Sequence, residues 1–197
     1  MSSFTINMDG SQAAGYRYTM PQLEVTQEGK KRSRLSNLGR VSAKVGRTCE
    51  MLVAFFNHEV PALRGTRGFV LQNGSYSVPI AVEQSVLQSA VLDFIQKHVM
   101  CSSCRNPETR ISALQDDKRA TVLECDACGK TAPCKNADGR LHRASEAFFQ
   151  WMQANPEHLK ALGRLRVPEP FPWSCADEAG WSFPHSSDAV ASDDWVS

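Results

Sequence analysis

Residues 82–99 carry the clearest periodicity in the chain. Val86, Leu87, Ala90, Val91, Phe94 and Ile95 fall on one stripe at spacings of one, three and four, with Glu83, Gln84, Gln88, Asp93 and Gln96 off it. That spacing predicts an amphipathic helix with one buried face. A second helix is predicted over 49–58, where Met51, Leu52, Phe55 and Phe56 recur at helical spacing before Pro61 ends it, and a shorter one over 40–45. Phe69-Val70-Leu71 and Tyr76-Ser77-Val78 flank Gln72-Asn73-Gly74-Ser75, and Asn-Gly between apolar runs predicts a β-hairpin. Tyr16 to Val25 reads as a strand closed by Glu28-Gly29, and the basic run 30–34 as a loop or turn. Residues 145–162 read as helical, with Ala147, Phe148, Trp151 and Met152 on one side and a break near Pro156. Helices with one buried face need a second layer, which the strands supply, so residues 16–99 are expected to form a small α/β domain.

The pattern changes at Cys101. Cys101-Ser-Ser-Cys104 and Cys125-Asp-Ala-Cys128 are separated by twenty residues. Between them, 110–114 and 119–124 alternate like strands, with 115–118 as the turn. Four thiolates at about 2.3 Å satisfy a tetrahedral zinc ion, and each CxxC turn delivers two sulfurs from one side. Gly129 after the second pair can take a positive φ, which lets backbone N–H groups face the sulfurs. Two redox-active pairs are the competing reading; ribbon spacing favours the metal. With four sulfurs and no histidine in the module, the site is closed and structural rather than catalytic. Cys134 is read as a spare thiol and Cys49 as a core residue. The expected architecture is α+β: an arm over 1–15, an α/β domain over 16–99, a four-cysteine zinc ribbon over 100–135, a helical extension over 136–167 and an acidic tail over 168–197.

Composition adds an asymmetry. The 197 residues are 22 % charged and 42 % hydrophobic, with a net charge of +1. Between Glu28 and Arg67, however, nine Lys and Arg face three carboxylates, whereas six carboxylates and no Lys or Arg follow Arg166. A basic front and an acidic tail suggest an anionic polymer at one end and a different partner, or self-shielding, at the other; two solvated faces are the plain alternative. The tail also holds Trp173, Trp181 and Trp195. It reads as a docking segment for a lysine-rich partner, a cover for the basic surface at 30–47, or a solubilising end. No apolar run approaches the roughly 18 residues of a membrane span, and the polar start 1–15 has the composition of a flexible arm rather than a secretory signal. Seven cysteines in that context suggest a reducing, cytoplasmic compartment. The five histidines are scattered and no phosphate-binding glycine loop is present, so independent catalysis is not expected.

Three quoted stretches carry a resemblance: Tyr16-Arg17-Tyr18-Thr19-Met20-Pro21, Asn37-Leu38 ahead of a helix, and the run from Leu92 through Cys101-Ser-Ser-Cys104-Arg105-Asn106-Pro107-Glu108-Thr109. Together they resemble the N-terminal domain of eukaryotic translation initiation factor five, whose fold is shared with the β subunit of initiation factor two and its archaeal counterpart. The resemblance spans about residues 16 to 135. It implies a GTPase-activating protein that is not itself an enzyme. Such a protein acts on initiation factor two, holding initiator tRNA on the small ribosomal subunit, and couples start-codon recognition to GTP hydrolysis. It also implies an arginine finger at Arg17, one zinc ion on Cys101, Cys104, Cys125 and Cys128, and contacts to the GTPase or to RNA from Arg32, Arg47, Lys30, Lys31 and Arg34. The implied partners are the GTPase and β subunits of factor two, initiator tRNA, and the rRNA and mRNA of the small subunit. Two local readings of Arg17 compete, a salt bridge and an RNA phosphate contact. The alternative function is a β-subunit-like component of factor two, or a ribosome-bound RNA-binding zinc-ribbon module. Members of the family continue into a helical-repeat C-terminal domain with no counterpart before Ser197, so either that domain is truncated or its docking role has moved.

Overall fold

The computed structural model describes residues 4–72, 74–113, 121–135, 140 and 144–156. The expectations for the turn at 115–118, for the chain beyond Pro156 and for the acidic tail lie outside the described residues. In chain order the elements are β1 (Thr5–Asn7), β2 (Thr19–Pro21), β3 (Val25–Glu28), β4 (Arg32–Leu35), α1 (Leu38–Val45) and α2 (Cys49–Glu59). A 3₁₀ turn (Pro61–Leu63), β5 (Val70–Gln72), β6 (Ser75–Val78), α3 (Gln84–His98), β7 (Thr109–Ala113), β8 (Thr121–Cys125), β9 (Thr131–Pro133) and α4 (Glu146–Ala154) follow. All pairings are antiparallel: a β1–β2 ribbon, a sheet in the order β3-β4-β6-β5, and a three-stranded sheet β7-β8-β9.

The helices form where periodicity predicts them, and the details show what sets their ends. Thr48 caps α2, its hydroxyl accepting the Met51 N–H at 3.3 Å. Gly46 closes α1 with φ of 70°, a left-handed turn that side-chain-bearing residues resist. Only Gly46, Arg47 and Thr48 separate the two helices, so they pack as a tight corner. In α3 the buried face is Leu87, Val91, Phe94, Ile95 and His98; Val86 is 39 % exposed and lies off it. Phe55 of α2 meets Phe94 and His98 of α3 and Phe148 of α4 edge-on, with ring centroids 5.2, 5.8 and 5.4 Å away. Helix α4 thus packs onto the core, through Phe148, Phe149 and Met152, and Ala147 faces outward.

Three expectations change. Residues 1–15 do not form a free arm throughout: Thr5–Asn7 pairs with Thr19–Pro21, and Met8 is buried. The Thr5-Ile6-Asn7-Met8 alternation is a short strand signal that polar neighbours masked. The strand expected from Tyr16 to Val25 is broken between Pro21 and Val25, because side chains replace its sheet partner there. Asn37 is fully buried; its Oδ1 accepts the Glu24 N–H (2.8 Å) and its Nδ2 donates to the Gln22 carbonyl (2.7 Å). Gln88, expected on the polar side of α3, turns inward and accepts the Leu23 N–H at 2.7 Å. Finally, the basic loop is a turn only through Lys31. Arg32–Leu35 is a strand paired with β3 and β6.

Candidate metal centre and guanidinium arm

The two cysteine turns are built alike. The Cys101 N–H donates to the Asn106 carbonyl and the Arg105 N–H to the Cys101 carbonyl, both at 3.0 Å. In the second turn Cys125 bonds to Lys130 (3.0 Å) and Gly129 to Cys125 (2.8 Å) in the same pattern. The residue four after each first cysteine takes a left-handed φ, 68° at Gly129 and 57° at Arg105. Arg105 is the sole residue other than glycine to do so among those described. Such a side chain in the left-handed region stores strain of about 1 kcal/mol.

These turns bring the four sulfurs within 4.8 Å of one another, with Cys101 to Cys128 at 3.8 Å and Cys104 to Cys125 at 3.6 Å. A metal–sulfur bond of about 2.3 Å in tetrahedral geometry puts sulfurs roughly 3.8 Å apart, so the donor set fits a zinc ion without rearrangement. The protonation pattern agrees. Burial raises the Cys101 thiol, but N–H groups of Cys104 and Ser103 and the neighbouring sulfurs outweigh it and bring it down to about 7. Burial and the adjacent thiols push Cys125 up to about 12. Four crowded thiols cannot all ionise unaided; a divalent cation at their centre removes that conflict. Cys134 stands outside this set, buried, its thiol pushed up to about 11 by burial despite nearby Arg47. Cys49 is also buried, on α2 beside the Ser42 hydroxyl at 3.3 Å.

Arg17 is exposed on the loop that joins β1 to β2. That loop is held at several points. The Met8 N–H donates to the Tyr18 carbonyl at 3.0 Å, Asn7 Nδ2 to the Ala13 carbonyl at 3.0 Å, and Gln96 Nε2 of α3 to the Asp9 carbonyl at 3.2 Å. The Arg17 guanidinium lies over the Tyr18 ring, 5.4 Å from its centroid. Tyr16 and Tyr18 meet edge-on at 6.1 Å.

A family model, described as a domain found in initiation factors 2B and 5, matches residues 9–131. The chain belongs to this family. Among its relatives, eukaryotic translation initiation factor 5 of Saccharomyces cerevisiae is 32 % identical over 121 residues, which are 60 % of this chain and 29 % of the yeast protein. The Drosophila melanogaster protein of that name is 34 % identical over 122 residues, 58 % of this chain and 24 % of its own length. Translation initiation factor 2 subunit beta of Archaeoglobus fulgidus is 29 % identical over 120 residues, 61 % of this chain and 81 % of the archaeal protein. The chain thus matches less than a third of either factor 5 relative. No helix among the described residues is long and apolar enough to cross a membrane.

In this initiation-factor domain the basic residues separate into three environments. Lys30, Lys31 and Arg32 are exposed at the β3–β4 turn. Arg34 is half-buried and its Nε meets Glu28 Oε1 at 3.2 Å. Arg47 corrects the expectation made for it: it is 1 % exposed and cannot touch a GTPase or RNA in this fold. Its Nη1 donates to the Gly46 carbonyl (3.0 Å), and its Nη2 to the His98 carbonyl (3.0 Å) and Thr109 Oγ1 (3.1 Å). The guanidinium therefore sits where α1 and α3 both end, facing the negative ends of two helix dipoles. Burial lowers its pKa to about 10, which leaves it charged at neutral pH. Tyr18, Asn106 and Glu108 carried no chemical role in the sequence reading, yet they join the Arg17 loop to the first cysteine turn. A phenol beside the arginine and an asparagine two residues after the second cysteine were the available signals.

Proposed function

We propose that the chain is a translation initiation factor that stimulates GTP hydrolysis by initiation factor two while that factor holds initiator tRNA on the small ribosomal subunit. Arg17 is the residue that would act, in trans. The observation that carries this reading is the presentation of Arg17: exposed, on a loop tied down at both ends, with an aromatic ring rather than a carboxylate beneath its guanidinium. A planar, permanently charged fork delivered to the γ-phosphoryl group neutralises charge as it spreads to the equatorial and leaving oxygens. Lysine supplies the charge without the fork. Zinc on Cys101, Cys104, Cys125 and Cys128 has no open coordination position in this reading and serves the fold alone. The exposed Lys30, Lys31 and Arg32 are proposed contacts to RNA backbone, of the tRNA, rRNA or mRNA, or to the GTPase and β subunits of factor two. A protein that acts on ribosomal subunits in this way works in the cytoplasm.

The test is single-turnover hydrolysis by small subunits carrying factor two, GTP and initiator tRNA. Arg17→Ala is expected to lower the stimulated rate roughly 10³-fold, and Arg17→Lys to recover little of it. A rate within about twofold of wild type removes the finger. One observation favours a second reading, a β-subunit-like component of factor two: the match covers 81 % of the archaeal β subunit. That reading requires stable, stoichiometric co-purification with the GTPase subunit, whereas an activator associates transiently and in a nucleotide-sensitive way.

A further inference from the structure

The Arg17 loop and the first cysteine turn are far apart in sequence and bonded in space. Asn106 Nδ2 donates to Tyr18 Oη at 2.8 Å, and Tyr18 Oη donates to Glu108 Oε1 at 3.1 Å. Burial, and then that carboxylate, raise the Tyr18 phenol above its usual value, so it remains a donor. Both partners belong to the metal turn. The Asn106 carbonyl accepts the Cys101 N–H at 3.0 Å, Asn106 Oδ1 accepts the Glu108 N–H at 2.8 Å, and the Glu108 carbonyl accepts the N–H of Asp126 in the second turn at 2.9 Å. The other face of the contact is Tyr18's ring, over which the Arg17 guanidinium lies. One side chain thus touches the metal turn with its hydroxyl and the arginine with its ring.

We propose that Tyr18 is a positioning residue that latches the Arg17 loop to the first cysteine turn, so that the metal centre determines where the guanidinium stands. This rests on the reading of Arg17 given above. An exposed arginine samples many rotamers, and a group that must meet a transferring phosphoryl loses rate steeply when its placement loosens by about 1 Å. A ring fixed through its hydroxyl limits that freedom from below. The latch also gives the closed cysteine site a part in presenting the arginine without any metal chemistry.

Tyr18→Phe separates the two faces, because it keeps the ring and removes the hydroxyl. Hydrogen exchange in the full-length protein reads the latch directly. Amides of residues 8–20 are expected to exchange about tenfold faster in Tyr18→Phe, with those of α3 and β8 unchanged and the metal content equal to wild type. Hydrolysis on small subunits reads its consequence: a maximal rate lowered about five- to tenfold, with the half-saturating concentration unmoved. Combined with Arg17→Ala, Tyr18→Phe is expected to cause no further loss. Unchanged exchange at 8–20 overturns the latch. Faster exchange with an unchanged maximal rate, or an equal fractional loss in the Arg17→Ala background, overturns its role in positioning Arg17. If Arg17→Ala itself leaves the rate intact, the reading of Arg17 and the positioning role both fall, while the exchange measurement still decides whether the latch exists.

Discussion

A single arginine shows how far residue identity underdetermines role. Arg47 belongs to the basic front of the chain by composition, yet its side chain spans three segments of the interior. Carbonyl groups at the ends of α1 and α3 and the Thr109 hydroxyl of β7 hold it, so it pins the cysteine module to the helical core. Arg47→Met is expected to destabilise the protein by about 2–4 kcal/mol, since the apolar chain fills the space but leaves acceptors unpaired. Arg47→Lys should cost about 1–2 kcal/mol, because one ammonium cannot reach both helix ends and Thr109 together. Denaturant unfolding followed by circular dichroism measures both. An unshifted midpoint together with weakened partner binding would return Arg47 to the surface role first expected of it. Nothing in hydrophobic periodicity marks an arginine as interior. The available clue was its position, between the glycine that ends one helix and the threonine that begins the next, in a connector too short to leave the fold. Asn37 and Gln88 were hidden for the same reason: pattern reading assigns polar side chains to solvent, whereas these replace missing strand partners.

Elements were legible in proportion to their length and to how much of their stability is local. Helices α2 and α3, the β5–β6 hairpin and the cysteine turns follow from apolar spacing, from Asn-Gly and from CxxC. The three-residue strand β1 did not, because its partner β2 begins twelve residues after it ends and only tertiary pairing reveals it. The basic segment was read as one loop; it is a turn followed by a strand, and this division matters for binding. Lys30 and Lys31 project from the turn, while Arg34 leans on Glu28 within the sheet. Lys30→Glu with Lys31→Glu is therefore expected to weaken binding to single-stranded or stem-loop RNA and to flatten its salt dependence by up to about two phosphate contacts. Arg34→Ala should change neither appreciably. Fluorescence anisotropy across a salt series checks this, and parallel slopes for wild type and the double variant would remove the turn from the RNA contacts.

At the scale of the molecule, the cysteine module is more than an appendage. Its first turn holds the Arg17 loop through Tyr18, its strand β7 receives Arg47, and its two turns are joined through Glu108 and Asp126. Loss of the metal should therefore be felt along these links before it is felt in α2 and α3, whose packing rests on Phe55, Phe94 and His98. The acid response follows from the thiols. Without metal, the Cys125 thiol at about 12 and the Cys104 thiol, also raised, are protonated at neutral pH. Binding a divalent cation displaces those protons, so lowering the pH restores the competitor and affinity must fall. Cys101, at about 7, joins the competition only as the pH drops through that value. Zinc transfer to a colorimetric chelator is accordingly expected to accelerate steeply between about pH 7.5 and 5.5, with proton uptake on release. Over that interval exchange should rise first in β7–β9 and the Arg17 loop, while the helical circular dichroism of the core persists. Zinc retention that does not depend on pH, or simultaneous loss of helix and metal, would show that the cysteine module and the helical core form one cooperative unit rather than two joined by named contacts.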